Sequence, residues 1–247
     1  MPTSSKKKRQ RDTSPDPRKA IPKKARGGTH TEADNTSMKS TDHVHLDAVC
    51  KPVLVILPGS SGKISKRMTE FINGFLSNHF SVRIREGRWK GWKPLGSENV
   101  ETVLEHCPVD GVWYALANSF GNRVLCEMYA ADKFVNQPAG LILCGYPLYG
   151  EKCTPERVTT LQALPSHSKV LAISGSNDEF LSRAPRGESL VGVELLRSIL
   201  DSLLCKQHTR FHVVPSGGHG VLDVPAKQVT TASTLVLQQI LDFIETI

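Results

Sequence analysis

Gly111-Val112-Trp113-Tyr114-Ala115-Leu116-Ala117-Asn118-Ser119-Phe120-Gly121 reads as a buried strand running into a small-residue turn and then a helix, with a serine at the junction. A sharp strand-to-helix turn of this kind pushes a serine hydroxyl above the edge of a sheet, the arrangement called a nucleophile elbow. The usual Gly-x-Ser-x-Gly stands here as Ala117-Asn118-Ser119-Phe120-Gly121. Alone the match is weak, because a serine at a helix start more often simply caps it. What decides the matter is the rest of the chain.

Upstream, Pro52-Val53-Leu54-Val55-Ile56-Leu57 is a continuous apolar, β-branched run, as expected of a strand covered on both faces. Pro58-Gly59-Ser60-Ser61-Gly62 follows as a turn. Ile64, Met68, Phe71, Ile72, Phe75 and Leu76 then recur with the 3.6-residue period of a helix. Ser81-Val82-Arg83-Ile84-Arg85 predicts a second strand, and residues 98–106 a short helix. Beyond the opening stretch, residues 120–132 predict a helix with Val124, Leu125, Met128 and Tyr129 inward. Leu141-Ile142-Leu143-Cys144, Val170-Leu171-Ala172-Ile173 and Phe211 to Val214 predict strands. A long amphipathic helix is expected over 189–205, with Leu190, Val193, Leu196, Leu200, Leu203 and Leu204 on its inner face. The chain ends in a helix carrying Leu237, Ile240, Leu241, Ile244 and Ile247 on one side. Strands alternating with helices mean an α/β fold: an open, mostly parallel sheet with helices on both faces. In such sheets chemistry collects in the loops beyond the carboxyl ends of the strands.

Four of those loops hold chemically able residues: Gly59, Ser60 and Ser61 after the first strong strand, Ser119 after the third, Asp178 in Ser174-Gly175-Ser176-Asn177-Asp178-Glu179, and His219 in Pro215-Ser216-Gly217-Gly218-His219-Gly220. Serine, then acid, then histidine is the chain order of the α/β-hydrolase triad. Asp178 alone would be read as a turn cap. His219 follows two glycines in a loop, whereas His212 lies within a strand and reads as structural. Gly59-Ser60-Ser61-Gly62-Lys63 lacks the spacing of a phosphate-binding P-loop. Four coincidences at four strand ends argue for one shared cause.

Leu57-Pro58-Gly59-Ser60-Ser61-Gly62, Asn118-Ser119-Phe120-Gly121-Asn122-Arg123, Gly145-Tyr146-Pro147-Leu148, Ser174-Gly175-Ser176-Asn177-Asp178 and Gly218-His219 together resemble the α/β-hydrolase-like family of the testis-expressed hydrolase-like proteins. A subunit of the nuclear NSL histone-acetyltransferase complex belongs to that family, and dienelactone hydrolases look like more distant relatives. The resemblance covers roughly residues 50–247. It implies a compact α/β-hydrolase fold without a large lid domain, with Ser119, Asp178 and His219 at the triad positions, and it brings no substrate with it. The departure is Ala117, where the elbow usually has glycine because strand and helix approach closely there.

On this reading His219 takes the Ser119 proton, Asp178 orients the imidazole, and the backbone N–H of Phe120 with one from Gly59, Ser60 or Ser61 binds the oxyanion. Small esters, thioesters or lactones are the expected substrates. No metal or cofactor is expected. The loop Gly87-Arg88-Trp89-Lys90-Gly91-Trp92-Lys93-Pro94 either walls the acyl pocket or is an exposed loop with one tryptophan buried for packing. A competing reading is a non-catalytic scaffold subunit of a nuclear complex that keeps the hydrolase fold as a docking surface.

That competitor draws on the tail. Of the 31 Lys and Arg, 11 fall in residues 1–40 against 4 Asp and Glu, so the tail holds the whole formal +7 and residues 41–247 balance at 20 of each. Poor in large apolar groups, residues 1–40 are expected to be a disordered basic tail preceding a domain at 41–247. Within that domain His43-Val44-His45-Leu46 predicts a short edge strand. Lys6-Lys7-Lys8-Arg9-Gln10-Arg11 and Lys23-Lys24-Ala25-Arg26 suit a bipartite nuclear-localisation signal. An import receptor, a protein complex and weak, salt-dependent contact with nucleic acid are its expected partners. Cys50, Cys107, Cys126, Cys144, Cys153 and Cys205 show no C-x-x-C pairing and read as free thiols in a reducing compartment. No apolar run is long enough to span a bilayer, and the basic N-terminus lacks an apolar signal core. The expected location is nucleus, cytoplasm or both.

Overall fold

The computed structural model describes residues 51–150, 156–183 and 189–247. The basic tail and its two clusters, the domain boundary at 41, the strand expected at residues 43–46, Cys50 and Cys153 all lie outside the described residues.

Six strands form one sheet: β1 (Val53–Leu57), β2 (Ser81–Ile84), β3 (Trp113–Asn118), β4 (Gly140–Cys144), β5 (Val170–Gly175) and β6 (Thr209–Val214), in the order β2-β1-β3-β4-β5-β6. Every pairing is parallel, where a mostly parallel sheet was expected. Between the strands run α1 (Lys66–Gly74), α2 (Ser97–Leu104), α3 (Phe120–Ala130), α4 (Glu156–Gln162) and α5 (Gly192–Asp201), and α6 (Val229–Glu245) closes the chain. Among the described residues no crossover carries an inserted domain.

The apolar strands need cover on both sides, and successive side chains divide between two cores. Val55, Leu57, Ala115, Ala117, Leu141, Leu143, Val170 and Ala172 face one core, which α2, α3, α4 and α5 close with residues such as Val103, Leu125, Leu161 and Leu200. Leu54, Ile56, Tyr114, Leu116, Ile142, Cys144, Leu171 and Ile173 face the other, closed by Phe71 and Ile72 of α1 and by Val236, Ile240 and Phe243 of α6. The chain leaves β1 toward β2 on one side, then returns to place β3 on the other. That reversal opens a crevice beyond the carboxyl ends of β1 and β3.

Two helices differ from expectation. α4 is absent from the sequence-based reading because it spans only seven residues, with two buried apolar positions, Val158 and Leu161. The helix expected over 189–205 is confined to Gly192–Asp201. Gly192 enters it at φ 65 and Ser202 ends it, so Leu190 and Leu204 lie outside the helix and are exposed, at 41% and 71%. Past the helix Leu203 lies inward, as expected, and Cys205 joins it.

The two leucines therefore separate in stability measurements. Leu200→Ala removes a side chain 2% exposed and is expected to cost about 2–5 kcal/mol. Leu204→Ala is expected to stay within about 0.5 kcal/mol of the parent. Urea unfolding followed by circular dichroism reads both; equal losses would restore the longer inward-facing helix.

Candidate active site

Ser119 occupies the single residue between β3 and α3, at φ 52 and ψ −115. A non-glycine residue there is strained, by about 1–3 kcal/mol, and is kept only where its surroundings dictate it. The serine does not cap α3, since its side chain makes no capping hydrogen bond. That removes the bland alternative for the motif. The turn is held from below: the Ser119 N–H donates to the Cys144 carbonyl at 3.3 Å, and the Asn122 side-chain amide donates to the same oxygen at 2.8 Å. Asn122 is fully buried, and its own N–H donates to the Ser119 carbonyl at 3.1 Å. Sequence reading gave Asn122 no role; its one signal was an amide on the apolar side of a helix.

Ala117 fits without conflict. It is fully buried, registered between Leu57 of β1 and Leu143 of β4. The close approach lies at Gly121, where a Cβ would come 2.6 Å from the Pro58 carbonyl oxygen and 2.7 Å from that of Leu57. Glycine at this position lets α3 start directly against the end of β1.

Three of the sequence-predicted residues come together above this turn. Ser119 Oγ lies 2.8 Å from His219 Nε2, and His219 Nδ1 lies 3.0 and 3.1 Å from the two oxygens of Asp178. A carboxylate can only accept, which puts the imidazole proton on Nδ1 and leaves Nε2 to accept from the Ser119 hydroxyl. The Asp178 side chain is fully buried, whereas that of His219 is 15% exposed. Asp178 also accepts the Phe180 N–H at 2.9 Å, and the Phe180 ring lies 4.2 Å from the imidazole. Gly145, at φ 57 after β4, makes room for the histidine loop; a Cβ there would meet the His219 carbonyl oxygen at 2.1 Å.

Gly59, Ser60 and Ser61 line the same cleft as Ser119 and His219, a space of about 430 Å³ whose walls include Ile64 and Met68 and whose rim includes Lys63, Glu179 and Asp223. A Cβ on Gly59 would lie 3.3 Å from that of Ser119. Phe120 begins α3, where no carbonyl within the helix can accept its N–H. Of the two tryptophans, Trp89 is buried and Trp92 is 72% exposed. Both pack edge-on against the Phe120 ring, at 5.5 and 5.6 Å. A hollow of about 540 Å³ between α3 and α4 lies elsewhere, lined by Ala130, Ala131, Thr159 and Ala163 among others.

Other reactive groups stay apart from this cleft. His212 lies in β6, where burial lowers its pKa and its Nε2 has no partner. Among the described residues no three His, Cys, Asp or Glu side chains gather to hold a metal ion, and no helix is long and apolar enough to cross a membrane.

The arrangement can be set against known structures. No protein-family model and no curated protein matches the sequence. Solved structures do. The monoacylglycerol lipase of Paleococcus ferrophilus aligns at 11% identity and a TM-score of 0.54, over 78% of this chain and 96% of its own. Est1E of Butyrivibrio proteoclasticus aligns at 13% and 0.53, over 79% and 89%. The thioesterase domain from the curacin biosynthetic pathway aligns at 11% and 0.51, over 77% and 91%. At such identities the likeness is one of architecture, and the architecture is the α/β-hydrolase fold.

Three of the cysteines, Cys107, Cys126 and Cys144, are expected to be inert. Burial pushes the Cys107 and Cys144 thiols up to about 12 and that of Cys126 higher still, and a protonated thiol is a poor nucleophile. Iodoacetamide at pH 8 should leave these three unmodified in the native protein and alkylate them in guanidinium, as read by peptide mass spectrometry. Native alkylation of Cys144 would mean that the floor of the elbow is open.

Proposed function

We propose that this chain is a serine hydrolase that cleaves a small ester, thioester or lactone through an acyl-enzyme. One observation carries the reading: a serine in a strained turn, its hydroxyl 2.8 Å from an imidazole whose other nitrogen is 3.0 Å from a buried carboxylate. An N-cap, a turn aspartate and a loop histidine need not meet, and a resting serine does not need strain. The cleft of about 430 Å³ is within the usual range for small-molecule sites.

In this mechanism His219 Nε2 takes the Ser119 proton as Oγ attacks the acyl carbon. Asp178 stabilises the imidazolium and holds its tautomer. The carbonyl oxygen gathers negative charge beside the Phe120 N–H and a donor from residues 59–61, each such donor being worth about 3 kcal/mol in the transition state. The imidazolium returns the proton to the leaving alcohol or thiol. Water, deprotonated by the same nitrogen, then releases the acid. Kinship with the testis-expressed hydrolase-like proteins is part of the same proposal, supported by the motifs from Leu57 to Gly62, around Ser119 and around Asp178.

A fluorophosphonate probe is expected to label the protein on Ser119, and Ser119→Ala to abolish the label with the fold intact. Asp178→Asn keeps the shape but disturbs the tautomer, so turnover should fall about 10⁴-fold. A folded wild type that resists the probe would end the proposal.

A further inference from the structure

Arg85 follows directly on β2 and is only 1% exposed. Its backbone N–H extends the ladder to β1, donating to the Ile56 carbonyl at 3.0 Å. Its guanidinium has no carboxylate within 4.0 Å among the described residues. Removing a cation from water without an opposite charge is costly, so what it touches instead is informative. Its side-chain hydrogen bonds and its contact with an aromatic ring all fall on one short segment. Nη1 donates to the Gly87 carbonyl, Nη2 to that of Arg88 at 3.3 Å, and Cζ lies 3.8 Å from the centre of the Trp89 ring. Nε is buried without a partner, and burial lowers the pKa of the group. Residues 87–89 are thus clamped by a desolvated cation.

The clamped segment grips the loop after β1 twice. The Gly87 N–H donates to the Gly62 carbonyl at 3.1 Å, and the Trp89 indole N–H donates chiefly to the Gly59 carbonyl at 2.8 Å, with the Pro58 carbonyl a longer second acceptor at 3.3 Å. Gly59 O also accepts the Gly62 N–H at 2.9 Å. The Gly59 carbonyl and the Ser60 N–H belong to one planar trans peptide and point in opposite directions. Holding the oxygen on the indole therefore sends the Ser60 N–H the other way, and Ser60 lines the cleft that holds Ser119 and His219. The same indole packs 5.5 Å from the ring of Phe120, whose N–H is the other donor.

From this juxtaposition we infer that Trp89 is a positioning residue that aims the Ser60 N–H into the oxyanion site, and that buried Arg85 keeps Trp89 in place. The inference rests on the serine-hydrolase reading and deepens it. It chooses Ser60 from three adjacent candidates and gives the unpaired arginine a task. Trp89 does not line the cleft; its effect passes through one peptide plane.

The test is hydrolysis of p-nitrophenyl acetate and of its thiono analogue by wild type, Ser119→Ala and Trp89→Phe. Phenylalanine keeps an aromatic ring in the pocket and loses the donor together with the smaller ring of the indole. With the donor misaimed, kcat should drop about 100-fold with KM within about threefold, while the circular dichroism spectrum stays that of the folded parent. Sulfur accepts hydrogen bonds poorly, so the wild-type preference for the oxygen ester should shrink about tenfold in the variant; general loosening of the fold would not change that ratio. Should Trp89→Phe fail to fold, 3-benzothienylalanine at position 89, which replaces the indole N–H by sulfur, serves instead. Unchanged kcat and ester preference, in a protein whose activity requires Ser119, overturns the role of Trp89 alone. Wild type without turnover, or turnover that survives Ser119→Ala, overturns the hydrolase reading and this inference with it.

Discussion

The backbone of Ser119 is the constraint on which the molecule turns. At φ 52 it sits where an L-residue is unwelcome, and the surrounding structure leaves it no other course. The Cys144 carbonyl takes two hydrogen bonds from the turn, one from Ser119 itself and one from buried Asn122. On the other side α3 starts so close to the Pro58 and Leu57 carbonyls that only glycine fits at 121. Strand β3 before the serine and helix α3 after it are both sealed into the cores. Relaxing the turn would mean lifting one of them out.

Sheet topology then sets everything else in place. Parallel strands bring their carboxyl ends to one edge, so the loops after β1, β3, β5 and β6 rise on the same side. Residues 41 and 100 positions from the histidine meet it there. Exposure increases along the line: the Asp178 carboxylate is sealed, held by the imidazole and the Phe180 N–H, while His219 is 15% exposed beside the cleft. A second layer supports the first. Residues 87–89 fasten the loop after β1, and Phe120 receives both tryptophan edges, one buried and one open to solvent.

Where the sequence was legible, the signal was local. Val53–Leu57 had to be a doubly covered strand because no face of it is polar, and its side chains do divide between two cores. Legibility failed at ends and in short elements. Leu190 and Leu204 continue the apolar period of α5, but Gly192 and the turn at Ser202 end the helix before either can use it. Helix α4 offers only Val158 and Leu161, too few to show a period.

The order of serine, acid and histidine at strand ends belongs to the sequence alone, because strand and helix periods mark where each loop must fall. The close approach that the sequence suggested at Ala117 lies at Gly121 instead, and only the structure showed it. Which tryptophan is buried, and why Asn122 and Arg85 are polar inside a core, were decided only by the tertiary structure. Trp89 and Asn122 depend on partners far along the chain, Gly59 and Cys144, while Arg85 depends on how the turn just after it folds its carbonyls back. A local pattern records what a residue prefers. It cannot record which carbonyl the fold will bring to meet it.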